Sequence, residues 1–251
     1  MAGGQTSVVA PADTVVAPPG PRSVEITTKR QAVSLVASRR SAHLLVASIL
    51  AVGAGRVASA IGGAGLGIAD AVVVVATIAL IGPVEWIVHR FLLHAESDSW
   101  TSRRLGTGRG HELHHREPTV VDWLMLRTVD VLAFAVVLGL FSLTWAGPIG
   151  IAFGGSATAT ALTAWLAALL ALAHYEWVHL LVHSRVRLRT PYARTLARRH
   201  RLHHFRDERS WLGVTTSTGD RLLGTLPQRP RDVARSPTAH RPLPGRQNRE
   251  S

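Results

Sequence analysis

Residues 131–173 read VLAFAVVLGLFSLTWAGPIGIAFGGSATATALTAWLAALLALA and contain no Asp, Glu, Lys or Arg. A helix crosses the hydrocarbon core of a bilayer in about 20 residues, so this stretch is about twice as long as one crossing needs. Turn-forming residues occur within it at Gly147-Pro148-Ile149-Gly150 and at Gly154-Gly155-Ser156. The stretch therefore predicts a hairpin of two membrane spans, at about residues 129–147 and 157–177.

A second apolar block lies upstream, at residues 41–88. Arg56, a glycine-rich run at residues 62–67 and Asp70 interrupt it. These interruptions predict another hairpin, with spans at about residues 41–59 and 69–89. Together the two blocks predict an all-α integral membrane protein with four transmembrane helices in two hairpins.

The distribution of charge indicates how the chain is oriented. The formal net charge is +12, and the arginines lie before the first hairpin, between the hairpins and after the second. The turns inside the hairpins carry only Arg56. By the positive-inside rule, this multi-pass chain has both termini on the cytoplasmic side. The same distribution, without any nucleic-acid recognition motif, argues against binding to nucleic acid.

The two ends of the chain differ in composition from the membrane domain. Residues 1–40 are rich in proline near the start and basic further on, and residues 227–251 combine five prolines with many arginines. Such composition predicts disordered tails at residues 1–22 and 227–251, with the basic part of the N-terminal segment reaching residue 40, on either side of a membrane domain at residues 41–226. Cysteine is absent, which excludes disulfides and metal sites built from thiolates.

Ten of the 13 histidines fall into four short motifs. A pair is followed 17 residues later by an HxxHH trio, and the pattern occurs twice. The four motifs are His89 with His94, then His111, His114 and His115, then His179 with His183, and finally His200, His203 and His204. Imidazole binds Fe, Zn and Cu as a neutral ligand. Ten imidazoles exceed what one ion can hold, so two metal ions are predicted.

Helical geometry suggests how the motifs meet. Residues i, i+3 and i+4 share a helix face, so each trio is expected to direct two or three ring nitrogens to a common point. His89 and His94 lie about 140° apart on an ideal helix, and we expect them to serve different metals. The pairs lie at the cytoplasmic ends of the second and fourth spans, and the trios are expected to form a helical cap over them. The result would be a histidine-lined cage that an apolar substrate could reach from the bilayer.

Three further residues are candidates for supporting roles around the metals. Glu85 and Glu176 are expensive to place in a membrane span, and each shares a helix face with a predicted ligand. They could accept hydrogen bonds from imidazoles, or they could pair with Arg90 and Arg185. His174 could donate a hydrogen bond near the metals or could simply pack in the interior.

The four motifs resemble the histidine boxes of the fatty acid hydroxylase superfamily, which includes sterol desaturases, fatty acid 2-hydroxylases and carotenoid ring hydroxylases. The sequences that carry the resemblance are HRFLLH at residues 89–94, HELHH at 111–115, HLLVH at 179–183 and HRLHH at 200–204. The similarity covers about residues 80–226. After the last box, GVTTS at 213–217 and GDRLLGT at 219–225 are similar to the closing segment of the fatty acid 2-hydroxylases, which favours an acyl lipid as substrate.

The resemblance implies an oxygen-dependent diiron hydroxylase acting on a lipid from the bilayer. All ten box histidines would be ligands of two iron ions, with zinc as a substitute in purified protein and with no catalytic residue apart from these ligands. Neither end is long enough for a fused electron carrier, so we expect a separate donor, a ferredoxin or a cytochrome b5-like protein. Carotenoid ring hydroxylation and sterol desaturation or hydroxylation remain alternative reactions. A zinc-binding transporter is an alternative of another class, although its ligands would be expected at mid-membrane.

Overall fold

The computed structural model describes residues 20–95, 99–100 and 107–236, and helices joined by loops make up this part of the chain. The elements in chain order are a 3-10 turn at Ser23–Glu25, α1 at Lys29–Ala37, α2 at Arg40–Ile61, α3 at Ile68–Ile87, a π-helical turn at Val88–Leu93, α4 at Thr107–Arg116, α5 at Val121–Leu124, α6 at Thr128–Ala152, α7 at Ala157–His183, α8 at Pro191–Phe205, α9 at Thr218–Leu222 and a 3-10 turn at Pro230–Asp232. The described residues form no β-strand, only one isolated bridge between Arg22 and Val120. The predicted all-α fold is confirmed.

Four helical segments are long and apolar enough to cross a membrane: Arg40–Ile61, Ile68–Leu93, Val121–Ala152 and Ala157–His183. Their outer surfaces expose large apolar side chains; Leu50, Val75 and Val137 are 66%, 67% and 60% exposed. A water-soluble bundle would bury most of these residues, whereas lipid can solvate them. The four predicted membrane spans are therefore confirmed.

The second hairpin turns later than the sequence predicted. Helix α6 continues through Pro148 to Ala152, and the chain reverses at Gly154, whose φ of 71° lies in the left-handed region that glycine tolerates. Gly150 permits close contact within the hairpin, because a Cβ there would lie 2.6 Å from Thr160 Oγ1 on α7. The glycines at 147 and 150 thus serve helix packing, and Gly154-Gly155-Ser156 forms the turn.

A buried polar cluster, the Arg56 clasp, joins both hairpins at the end of the bundle remote from the histidines. Arg56 on α2 donates to Thr163 Oγ1 on α7 at 2.8 Å and pairs with Asp70 on α3 at 3.2 Å. Its guanidinium also donates to the Ala64 carbonyl at 3.0 Å. The two charged residues that interrupt the first apolar block in the sequence are therefore paired inside the bundle.

The basic part of the N-terminal segment, before residue 41, contains helix α1. Thr28 caps α1 by accepting from the Gln31 backbone N–H. Ile26 and Ala32 are buried in one cluster with Leu124 and Leu180. Because the segment as a whole is polar and basic, its composition did not reveal the short apolar face that covers the ends of α5 and α7. Residues 1–19 lie outside the described part of the chain.

The C-terminal segment also begins with ordered contacts. The Ser236 backbone N–H donates to the Arg206 carbonyl at 2.8 Å, and the Arg206 guanidinium donates to the Val233 carbonyl at 2.7 Å. These bonds attach residues 233–236 to the end of α8, although disorder was predicted from residue 227. The rest of the predicted tail, residues 237–251, lies outside the described residues.

Candidate metal centre

Four elements converge at one end of the bundle and bring all ten box histidines together: the π-helical turn after α3, then α4, the end of α7, and α8. The rings form two groups, and within each group one nitrogen per ring lies within 4.8 Å of all the others. Cluster A contains His89, His94, His111, His115 and His203, and cluster B contains His114, His179, His183, His200 and His204. Each group of five could hold one metal ion.

His89 and His94 belong to the same cluster, so the expectation that they serve different metals is corrected. The helix changes to π geometry at Val88–Leu93, and the His94 backbone N–H donates to the His89 carbonyl at 3.0 Å, five residues back. A π turn contains one more residue than an α turn. It therefore places residues i and i+5 on one face, and the two rings stack with centroids 5.0 Å apart.

Each trio divides between the two clusters. On an α-helix, His115 lies about 40° from His111, whereas His114 lies about 60° away in the opposite direction. His111 and His115 accordingly point into cluster A, while His114 points into cluster B. Helix α8 repeats this arrangement in reverse, because His200 and His204 join cluster B and His203 joins cluster A. Two members of each trio face one cluster, as expected, and the third faces the other cluster.

The spacing of the ring nitrogens matches that of ligands around a common ion. In cluster A, the Nε2 atom of His111 lies 3.0 Å from that of His89 and 3.1 Å from that of His115. In cluster B, the Nε2 atom of His200 lies 2.7 Å from that of His183 and 3.1 Å from that of His204. Two nitrogens that bind one metal at about 2.1 Å and at right angles are about 3.0 Å apart.

Backbone carbonyls orient two rings of cluster A. His89 Nδ1 bonds to the Leu212 carbonyl, and His203 Nδ1 bonds to the Ser210 carbonyl at 3.0 Å. Since a carbonyl can only accept, each Nδ1 carries the proton and each Nε2 presents a lone pair to the cluster. Neighbouring lone pairs repel one another unless a cation lies between them, so this arrangement fits a metal ion.

Cluster B contains buried ring nitrogens that need a partner. Within the described part of the chain, neither the Nε2 atom of His114 nor that of His179 forms a hydrogen bond. Burying an unpartnered polar atom is costly, and coordination to a metal would remove that cost. The donor set of both clusters, imidazole nitrogen only, also suits iron or zinc.

The box histidines outside the membrane spans are held neutral. Burial, followed by the neighbouring imidazoles, lowers the pKa of His94 to about 2 and that of His203 to about 3. The same two causes lower the pKa of His111, His114, His115, His200 and His204 well below its usual value. Neutral imidazole is the form that binds metal, so these rings need not lose a proton first.

The expected role of Glu85 is corrected by its hydrogen bonds. It accepts from the backbone N–H groups of Val214 and Thr215, at 2.7 and 2.9 Å, and from the Thr215 hydroxyl at 2.8 Å. The carboxylate therefore holds residues 214–215 against α3 rather than orienting an imidazole. This same segment supplies the Leu212 carbonyl to His89, so Glu85 supports cluster A through the backbone.

The other two supporting candidates also differ from expectation. Glu176 accepts from the Leu126 backbone N–H at 3.0 Å, which connects α7 to the start of the α6 segment. His174 is exposed on α7, so the interior position expected for it is not observed. Ser210 and Leu212 are among the residues that do orient rings, and sequence reasoning missed them because any residue type supplies a backbone carbonyl.

Glycines allow this C-terminal segment to approach α3 closely. A Cβ at Gly82 would lie 2.9 Å from the Gly219 backbone nitrogen, and a Cβ at Gly219 would lie 2.7 Å from Trp86 Cβ. Asp220 then accepts from the backbone N–H groups of Leu212 and Gly213, at 2.9 and 2.8 Å. The GDRLLGT sequence thus fixes the position of the Leu212 carbonyl.

Two cavities adjoin the clusters. The chain cavity, with a volume of about 220 Å³, lies among α3, α6 and α7, is lined mainly by apolar side chains and reaches His89. The vestibule, with a volume of about 550 Å³, borders His111, His114 and His179 and includes charged side chains such as Arg109. Tyr175 lines both cavities, and its ring centroid lies 5.4 Å from that of His179.

Comparison with known proteins identifies the family. The sequence model of the fatty acid hydroxylase family matches residues 74–225. A protein named fatty acid 2-hydroxylase, from Macaca fascicularis, is 29% identical over 150 residues, which are 59% of this chain and 37% of that protein. The chain thus spans little more than a third of this relative's length. No solved structure matches the chain significantly. The match covers more than half of the sequence and includes all ten box histidines, so this chain belongs to the fatty acid hydroxylase family.

Proposed function

We propose that this protein is a membrane-bound, O₂-dependent diiron hydroxylase whose substrate is the fatty acyl chain of a bilayer lipid. The observation that carries the proposal is that His89 lies both in a five-imidazole cluster and in the wall of an apolar cavity among the membrane helices. A hydrocarbon chain in that cavity would reach the metal centre without passing through water.

The ten box histidines would hold two iron ions, one in each cluster, and zinc could substitute in purified protein. Iron bound there would activate O₂ for insertion of one oxygen atom into a substrate C–H bond. Each hydroxylation consumes one O₂, two electrons and two protons, and it releases one water. The chain itself keeps its imidazoles neutral, and it orients His89 and His203 through the Leu212 and Ser210 carbonyls.

An acyl substrate is supported by family membership and by the lining of the chain cavity. The similarity to a fatty acid 2-hydroxylase points in the same direction. The electrons would come from a separate acidic or neutral carrier, a ferredoxin or a cytochrome b5-like protein. The distribution of arginines supports a cytoplasmic site, because Arg194, Arg198 and Arg201 are exposed on α8, the helix that carries the last histidine box.

The proposal is tested by expressing the full chain in a host with a simple lipid composition under ¹⁸O₂. We expect acyl lipids that have gained one labelled oxygen atom, detected by mass spectrometry, and about two iron ions per purified chain, because each cluster offers a full set of nitrogen ligands. His114→Ala and His203→Ala each remove one ligand from a different cluster. Each variant should therefore lose about one iron ion per chain and all hydroxylation.

His43→Ala is the matched control, since His43 is exposed and bonds to the Ala37 carbonyl on the basic N-terminal segment. It should keep both iron and activity. Full hydroxylation by His114→Ala or His203→Ala, or a labelled product that is a carotenoid or sterol in place of an acyl lipid, would contradict the proposal.

A further inference from the structure

The chain cavity is an elongated groove that runs parallel to the membrane helices. Its wall extends from His89 to Thr77 on α3 and from Tyr175 to Ala164 on α7. His89 lies twelve residues after Thr77, which corresponds to about 18 Å at 1.5 Å per residue. The hydrocarbon core of a bilayer is about 30 Å thick, so the groove is about as deep as one leaflet.

The two hydroxyls that line the end of the groove remote from His89 both donate within their own helices. Thr77 Oγ1 donates to the Val73 carbonyl, and Ser142 Oγ donates to the Leu138 carbonyl, both at 2.7 Å. Each hydroxyl hydrogen is thus used within its own helix. An acceptor group of a ligand placed beside these hydroxyls would receive no hydrogen bond from them in exchange for those it makes to water, whereas a hydrocarbon needs none.

Small side chains of α7 create the space in this groove. Ala164, Ala168 and Ala171 line it, and their spacing places them on one helix face. A larger side chain at any of the three would fill the groove. Trp145 lines the far end and packs against the buried cluster of Val73, Ala146 and Ala164.

We propose that this groove binds one unbranched hydrocarbon chain with its methyl end against Trp145, and that Ala168 and Trp145 set the preferred chain length. The proposal rests on the proposed function and deepens it. An unbranched chain advances about 1.25 Å per carbon for bonds of about 1.52 Å and angles near 111°. The groove of about 18 Å therefore holds about 14 carbons beyond the carbon nearest His89.

A longer chain is not strictly excluded by this geometry. Leu80 and Phe141 line the groove and are also 45% and 56% exposed, so a longer tail can bend at Trp145 and leave between α3 and α6. A longer chain that bends loses the contacts that a chain of fitting length makes with the end of the groove. We therefore expect product yield to decline beyond the fitting length rather than to stop there.

The first test is the chain-length profile of hydroxylated acyl groups made by the full-length protein. Ala168 lies four residues, or about 6 Å, from Ala164, so Ala168→Phe should shift the preferred length by about five carbons toward shorter chains. Trp145→Ala should shift it toward longer chains. Leu170→Phe is the matched control, because Leu170 lies on the same helix but is 52% exposed; it should leave the profile unchanged.

The second test does not need turnover. Palmitic acid with a diazirine at its methyl end is illuminated with the purified full chain, and the modified peptides are identified by mass spectrometry. We expect labelling at Trp145 or at residues 164–168, with a strong loss of this labelling in Ala168→Phe. The same labelling from a chain that hydroxylates nothing would support the groove and contradict the proposed function.

Two outcomes overturn the inference. One is a length profile that neither Ala168→Phe nor Trp145→Ala changes while hydroxylation continues. The other is crosslinking that is confined to the outer surface of the bundle and is equal in wild type and Ala168→Phe. Since the substitutions shift the profile in opposite directions, a general loss of folding cannot imitate the expected result.

Discussion

Glu85 connects the membrane bundle to the segment that supports cluster A. Its carboxylate accepts three hydrogen bonds from Val214 and Thr215, and the adjacent Leu212 carbonyl orients His89. Glu85→Gln replaces one acceptor oxygen by an amide donor, so at least one buried partner loses its bond. We expect unfolding to become easier by about 1–3 kcal/mol, measured as a lower Tm of the purified protein in detergent.

Glu112→Gln is the control for this substitution. Glu112 is paired with Arg116 on the surface of α4 and its side chain is 43% exposed, so its loss should change the Tm little. An unchanged Tm in Glu85→Gln would mean that the segment at residues 210–216 does not depend on this carboxylate.

At the scale of single residues, the sequence predicted which side chains are ligand candidates but not how they are oriented. The spacing of His111, His114 and His115 identified a shared helix face, and the structure brings all three into the metal centre. The partners of Glu85 and Glu176 could not be predicted, because all but the Thr215 hydroxyl are backbone N–H groups that any sequence supplies. The same holds for the carbonyls of Ser210 and Leu212.

Among the elements, the π-helical turn at Val88–Leu93 gives the first box its longer spacing. His179 and His183, in regular helix α7, are four residues apart, whereas His89 and His94 are five apart and still face one cluster. Deleting Phe91, which is 64% exposed, should convert the π turn to an α turn with the histidines at i and i+4. We expect this variant to retain iron in cluster A, as measured by metal analysis.

Deleting Leu181 provides the contrasting change in α7. It would rotate His183 by about 100° relative to His179 and should remove iron from cluster B. Equal iron loss in both deletion variants would mean that the π turn does not compensate for the longer spacing of the first box.

At the scale of elements, the sequence predicted all four spans but ended the third at residue 147, whereas the helix continues to Ala152. Gly147, Pro148 and Gly150 are turn-forming residues, but here Gly150 allows α6 to contact Thr160 and the helix continues. Helix packing and turn formation favour the same residue type, so composition alone could not distinguish them. The π turn was likewise invisible in a pattern read with α-helical periodicity.

In the whole molecule, the Arg56 clasp connects α2, α3 and α7 at the end opposite to the metal centre. Arg56→Leu or Asp70→Leu alone would leave its partner buried without a counter-charge, which costs about 3–5 kcal/mol. The double substitution Arg56→Leu with Asp70→Leu should lower the free energy of unfolding by less than the sum of the two single effects. Denaturant titration of the purified variants measures these differences.

Iron content serves as the internal control, since the clasp lies far from both clusters, and it should stay constant in folded protein. If the losses of unfolding free energy in the two single variants simply add up in the double variant, Arg56 and Asp70 are not energetically coupled.

At this scale the sequence predicted the architecture but not the division of ligands. The repeated motifs predicted two metal ions but left open which histidine binds which ion. The structure assigns His114, from the first half, to cluster B and His203, from the second half, to cluster A. This exchange depends on how α4 and α8 lie relative to each other, which no local periodicity encodes.

His114 and His203 each belong to the cluster formed mainly by the other half of the chain, and this matters for biosynthesis. When the ribosome has completed only the first hairpin and α4, the nascent polypeptide holds four of the five rings of cluster A and a single ring of cluster B. The missing His203 lies on α8, after the second hairpin. A metal ion that needs all five rings of cluster A could therefore bind only after the second hairpin and α8 have been synthesised, and a chain that stops before α8 would lack the full set of imidazoles in both clusters.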